Sequence, residues 1–146
     1  MTDAATVKSI ITNLETIVST TIGWRLEDLS SDPVDQDIQE VRSIVLAQIY
    51  YDGEEFEDNF NERKATNEIS VTIKAEKTVL LPGDARDTAV DLVHAIRTNV
   101  TVANLNTGDL ASSKLVHWVR HSSATVDRIK LKTIMTYQLK IRYAEL

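Results

Sequence analysis

Cysteine is absent from the 146 residues, which excludes disulfides, thiolate catalysis and cysteine-ligated metals at once. Stability must then come from packing or from partners. The four glycines are scattered, so no glycine-rich phosphate loop can form, and neither a GxSxG elbow nor an HExxH pair occurs. No run of eighteen apolar residues exists, so no membrane-spanning helix is expected. The opening residues MTDAATVKSI carry an acid at Asp3 and lack a basic region followed by an apolar one. A secretory signal is therefore not expected, and synthesis in the cytoplasm is. Bases are outnumbered, 16 against 22 acids, for a net charge of −6. That balance argues against a general nucleic-acid binder, whose footprint is strongly basic. No internal repeat or low-complexity tract is visible, and the length suits one domain over residues 1–146.

The charge that is present is unevenly spread. Residues 1–110 hold 20 acids against 9 bases, and residues 111–146 hold 2 acids against 7 bases. Most of those bases fall in the segment Asp127 to Tyr143, which alternates apolar and polar residues. Ile129, Leu131, Thr133, Met135, Tyr137, Leu139, Ile141 and Tyr143 share one phase; Lys130, Lys132, Lys140 and Arg142 share the other. Alternation of this kind predicts one long β-strand with a buried face and a wet, basic face. Sixteen steps of about 3.3 Å span roughly 53 Å, against a globule roughly 38 Å across for a chain of this size. The strand must bend sharply or project, and a projecting strand with an apolar face asks for a neighbouring subunit. Its bases are expected to meet acids of another copy or to keep the strand face wet.

Elsewhere, Val7, Ile10, Ile11, Leu14, Ile17 and Val18 recur at helical spacing behind a Thr2 or Asp3 cap, and the helix fades near Thr20 to Gly23. Trp24 to Leu29 reads as a short strand and the proline-bearing stretch Ser30 to Asp37 as a loop. Val41 to Tyr51 and Asn67 to Lys77 are strands. Asp84 reads as the N-cap of a second helix ending near Thr98, with Ala89, Leu92, Val93 and Ile96 inward. Asn104 to Ser113 reads as a loop, Lys114 to His121 as a strand and His121 to Thr125 as a turn. The order α-β-β-β-α-β-β predicts an α+β fold: a mainly antiparallel sheet of four to five strands flanked by two helices.

Between two of these strands lies DGEEFEDNFNERKAT, an extended acidic hairpin loop at 52–66, longer than a hairpin needs. It carries Asp52, Glu54, Glu55, Glu57, Asp58 and Glu62, with Phe56 and Phe60 among them. Clustered carboxylates can ligate calcium, but the spacing does not match an EF-hand, and no metal or cofactor is expected. A loop meant only for water has no reason to carry two phenylalanines, whereas one that docks on a partner does. His117 and His121 are four apart on a predicted strand, about 13 Å, too far to share an ion. Nothing assembles a nucleophile with a base, so no enzyme is expected.

The short first helix, the hairpin with its acidic loop at Asp52 to Thr66, the helix from Asp84 to Thr98 and the closing YQLKIRYAEL resemble, as a layout over most of the chain, the tail-terminator (tail-completion, or neck) proteins of long-tailed bacteriophages. The resemblance implies a structural virion protein without catalytic residues. It implies a homohexameric ring that caps the tail tube, ends its polymerisation and joins the tail to the head connector. The implied partners are further copies, the tail tube protein and the head–tail connector, with genomic DNA passing through the lumen unbound and no membrane involved. Acidic residues on the lumen or rim would keep DNA from sticking. Alternative readings are another phage neck or tube component, such as a head-completion or tail tube protein, or a small non-catalytic adaptor domain binding a basic partner. A carboxylate enzyme using a pair such as Glu54 with Asp58 has the least support.

Overall fold

In the computed structural model, which describes residues 3–27, 44–56 and 66–144, the last described strand is an interior strand of the sheet. Five strands form one sheet: β1 (Arg25–Leu26), β2 (Leu46–Phe56), β3 (Thr66–Thr78), β4 (Val116–Ile129) and β5 (Lys132–Ala144). Their order across the sheet is β1-β2-β3-β5-β4, with only β1–β2 parallel. Among the described residues, three α-helices accompany it: α1 (Asp3–Thr16), α2 (Pro82–Asn99) and the single turn α3 (Val102–Leu105). The fold is α+β, as the element order predicts.

Alternation decides which residues meet the helices. Asn67, Ile69, Val71, Ile73 and Ala75 of β3 are buried, and each pairs with a buried residue of β5 from Tyr143 back to Met135. Onto this face α1 lays Ile10 and Leu14, and α2 lays Leu92 and Ile96, all within one core cluster. Each such side chain contributes about 1.5–3 kcal/mol when fully buried. Below α1 the chain widens into a π-helical stretch, Ile17–Ile22, which buries Ile17 and Val18. Gly23 stops it in the left-handed region at φ 87°, a conformation that costs glycine nothing, and its N–H caps the Val18 carbonyl. Helix α2 starts earlier than its acids suggest. Leu81 is the N-cap and Pro82 sits in the first turn, where a missing N–H is harmless; Asp84 lies inside that turn and makes no capping hydrogen bond. Its buried stripe is Ala85, Leu92 and Ile96, with Val93 packed beside it.

The predicted single strand from Asp127 to Tyr143 is two strands. The chain turns at Lys130–Leu131, so Asp127 to Ile129 belong to β4, which runs unbroken through the predicted turn at His121 to Thr125. The length conflict between strand and globule is thus resolved by a sharp bend. In the predicted loop from Asn104, α3 ends and a short 3-10 turn forms at Gly108–Leu110. Asn13 of α1 donates to the carbonyls of Leu105 (2.7 Å) and Thr107 (3.0 Å), pinning this connection to the core. The predicted loop Ser30 to Asp37 and the start of the predicted strand at Val41 lie outside the described residues, as do Glu57, Asp58, Phe60 and Glu62.

Candidate functional site

The final strand lies inside the sheet, between β3 and β4, so it offers no edge to another chain. Its apolar row, Met135, Tyr137, Leu139, Ile141 and Tyr143, is covered by the chain's own helices. No second copy is needed to bury it.

The basic row is not a wet face either. Lys132 is buried, its Nζ 3.3 Å from Glu76 Oε1, with both side chains 5% exposed. Lys140 stands 3.5 Å from Glu68, diagonally across the β3–β5 register, in which Lys140 pairs with Ser70 and Glu68 with Arg142. The Arg142 guanidinium lies 5.5 Å over the Trp118 ring, a cation–π contact within the chain. Of the four bases expected to face water, only Lys130, at the turn with φ 56°, is fully exposed.

A groove forms between α1 and the far half of β2. A bulge at Asp52, with Gly53 at φ 118°, inserts one extra residue between Tyr51 and Gly53 and reverses the facing of everything after it. Tyr51, Glu54 and Phe56 consequently pair with Val71, Ile69 and Asn67 and all face α1, whereas strict alternation from Tyr51 would turn Glu54 and Phe56 away. Asp52 itself accepts from the Thr72 hydroxyl at 2.5 Å. The predicted loop is therefore strand as far as Phe56, and Glu55 pairs with Glu68 on the opposite face.

Glu54 is held rigidly. Its carboxylate accepts from the Tyr51 hydroxyl and from the Tyr143 hydroxyl, each at 2.5 Å, and Asn67 Nδ2 donates to the Tyr143 oxygen at 3.3 Å. The hydrogen bond to Glu54, with burial and the carboxylate's charge behind it, pushes the Tyr51 hydroxyl up to about 12. The groove encloses about 750 Å³ and is largely apolar, walled by Val7 and Ile11 on one side and by Tyr51 and Phe56 on the other. Phe56 is 66% exposed and Tyr51 51%. Exposed aromatics beside a fixed carboxylate offer large apolar contact area next to a polar anchor. Among the described residues, no three carboxylates or histidines gather where they could hold a metal ion.

The second surface is the β4–β5 hairpin, which the sequence reading missed. From Ser122 to Lys130 every residue is exposed, and no described strand pairs with the outer edge of β4. Val126 and Ile129 are 44% and 43% exposed. The hairpin is tied down on one side of its turn: Arg128 donates to the Val79 carbonyl at 2.8 Å, and Val79 N–H to the Leu131 carbonyl at 2.7 Å, which leaves the β4 edge as its open side. The signal available in the sequence was the strand's impossible length.

Where β4 leaves the core, His121 Nδ1 lies 2.6 Å from the Tyr137 hydroxyl, the rings edge to face at 5.7 Å. Burial, and then the nearby Arg97 charge, hold His121 below the ordinary histidine value of 6.5, while a backbone hydrogen bond at Val100 opposes them. The neutral imidazole is favoured in the fold, so the unfolded chain takes up this proton first. The His121 contribution is complete above about pH 6.5 and is lost as pH falls through that value towards the lowered one. Melting temperature is expected to drop on acidification from about pH 7 to 5, less steeply in His121→Gln; parallel slopes would show that His121 carries none of the loss.

No protein-family model matches this chain, and no curated protein matches it.

Proposed function

We propose that the chain is a non-catalytic assembly protein whose copies close into a ring, as the resemblance to phage tail-terminator proteins implies. In that role it caps the tail tube and carries the face on which the head connector docks. The observation that supports this reading best is the pair of unlike surfaces at opposite margins of one sheet. The α1–β2 groove lies at the β2 margin, and the exposed hairpin lies at the β4 margin. A self-complementary dimer needs one patch that matches itself. Two different patches far apart suit head-to-tail contact, which propagates until rotation closes it. A ring also accounts for the β4 edge, which no described strand pairs and which would be an aggregation hazard if left open. The net charge of −6 lets DNA thread such a ring without binding it.

Light scattering on the purified protein is expected to give a mass near six times the 16.4 kDa chain, with ring-shaped particles by electron microscopy. Phage deprived of the chain are expected to build tails of uncontrolled length that fail to join heads. A particle that stays monomeric or dimeric at every concentration would instead favour the adaptor reading.

A further inference from the structure

We propose that the β4–β5 hairpin tip of one copy, Val126 to Lys130, seats in the α1–β2 groove of the next copy. This names the contact within the ring and rests on the ring reading above.

Three observations carry it. The first is position. In the sheet, Ile129 and Lys132 pair at the end marked by Thr78, whereas Phe56 pairs with Asn67, which pairs with Tyr143, at the other end. Between those ends β3 covers 13 residues, about 40 Å at 3.3 Å per step. The tip cannot reach its own groove, so the contact runs between copies and leaves a free groove and a free tip at either end of any open chain of subunits.

The second is apolar match. The tip presents Val126 and Ile129 on opposite faces of its strand, since Val126 pairs with core-facing Met135 and Ile129 with Lys132. Val79, just past the end of β3, holds Arg128 and Leu131, so it is the open β4 edge of the tip, with one apolar side chain on each face, that fits a slot with walls on both sides. The slot offers Val7 and Ile11 on one wall and Tyr51 and Phe56 on the other. Burial removes the exposed Val126, Ile129, Tyr51 and Phe56 and the remaining open surface of the half-buried Val7 and Ile11 from water, and buried aromatic anchors dominate contacts of this kind.

The third is charge of both signs. The groove carries Glu15 and Glu54 with Lys8. The tip carries Lys130 with Asp127, the Arg128 guanidinium being turned back onto Val79. Lys130 against Glu15 and Asp127 against Lys8 are complementary pairs, and either reversed would repel. Glu54 stays with its two tyrosines as a fixed polar floor.

The absence of cysteine makes the test clean. Thr12→Cys in the groove and Val126→Cys on the tip are both at exposed positions. Mixing the two single variants and oxidising them is expected to give a disulfide-linked dimer that neither gives alone. The double variant is expected to give a ladder of linked chains. Val126→Asp is expected to abolish the ring mass while leaving the melting temperature within a few degrees of wild type. A wild-type ring whose mixed variants do not link, or a Val126→Asp protein that still forms the ring, would overturn the contact and leave the ring reading standing. A wild-type protein that is monomeric throughout would overturn both.

Discussion

Lys132→Ala is expected to lower the unfolding free energy by about 3–5 kcal/mol, the usual cost of stripping one partner from a buried ion pair. Lys132 and Glu76 meet at 3.3 Å on the sheet face away from the helices, beside Leu46 and Thr78, with 5% of each side chain exposed. Alanine leaves the Glu76 carboxylate buried without its ammonium, and its desolvation penalty is no longer offset. Lys132→Glu is expected to be worse, since two carboxylates would share the site. By the same reasoning, replacing both partners with apolar residues of similar volume, as in Lys132→Met with Glu76→Leu, is expected to cost far less or to stabilise. Urea unfolding of the three variants measures this. A Lys132→Ala midpoint equal to wild type would show that water reaches the pair. The sequence pattern would assign Lys132 to intersubunit charge contacts; its burial makes it a folding residue instead. Salt sensitivity of assembly is accordingly expected to follow Lys130, and Lys130→Glu is the charge reversal that tests it.

Ile141→Asp is expected to unfold the subunit rather than to separate subunits. Ile141 is completely buried, pairs with Ile69 on β3 and Val119 on β4, and belongs to the core under the helices. Losing a buried isoleucine costs about 2–5 kcal/mol, and burying a carboxylate adds several more. Together they approach the whole stability of a domain, roughly 5–15 kcal/mol. Far-UV circular dichroism is expected to show loss of structure at ambient temperature. A folded Ile141→Asp monomer would return this residue to the subunit interface.

Periodicity made much of the fold legible. The alternation from Asn67 to Ala75 and from Met135 to Tyr143 sorts those residues correctly into inward and outward, because successive strand side chains must point to opposite faces; Ile134, placed on the wet face by the same alternation, is buried. The helical spacing of Ile10, Leu14, Leu92 and Ile96 likewise marks the side that meets the sheet. Phase is less legible. In a two-residue hairpin Ile129 lies directly opposite Lys132, on the face away from the helices, so its apparent agreement with Met135 is reversed by the turn. No glycine or asparagine marks that turn; Lys130 takes the positive φ itself. The bulge at Asp52 does the same to β2, swinging Glu54 and Phe56 to the α1 side and making a groove where strict alternation predicts none.

The sequence by itself determined the α+β class, the inward rows of β3 and β5 and the helix stripes, because each follows from a period that operates within one segment. Tertiary structure alone decided where β4 turns into β5, that β5 is an interior strand, that Lys132 is buried against Glu76, and that Glu54 sits between Tyr51 and Tyr143. These depend on which segments become neighbours across the sheet. A strand's own residues specify two faces, but the partner strands and helices decide which of them is wet.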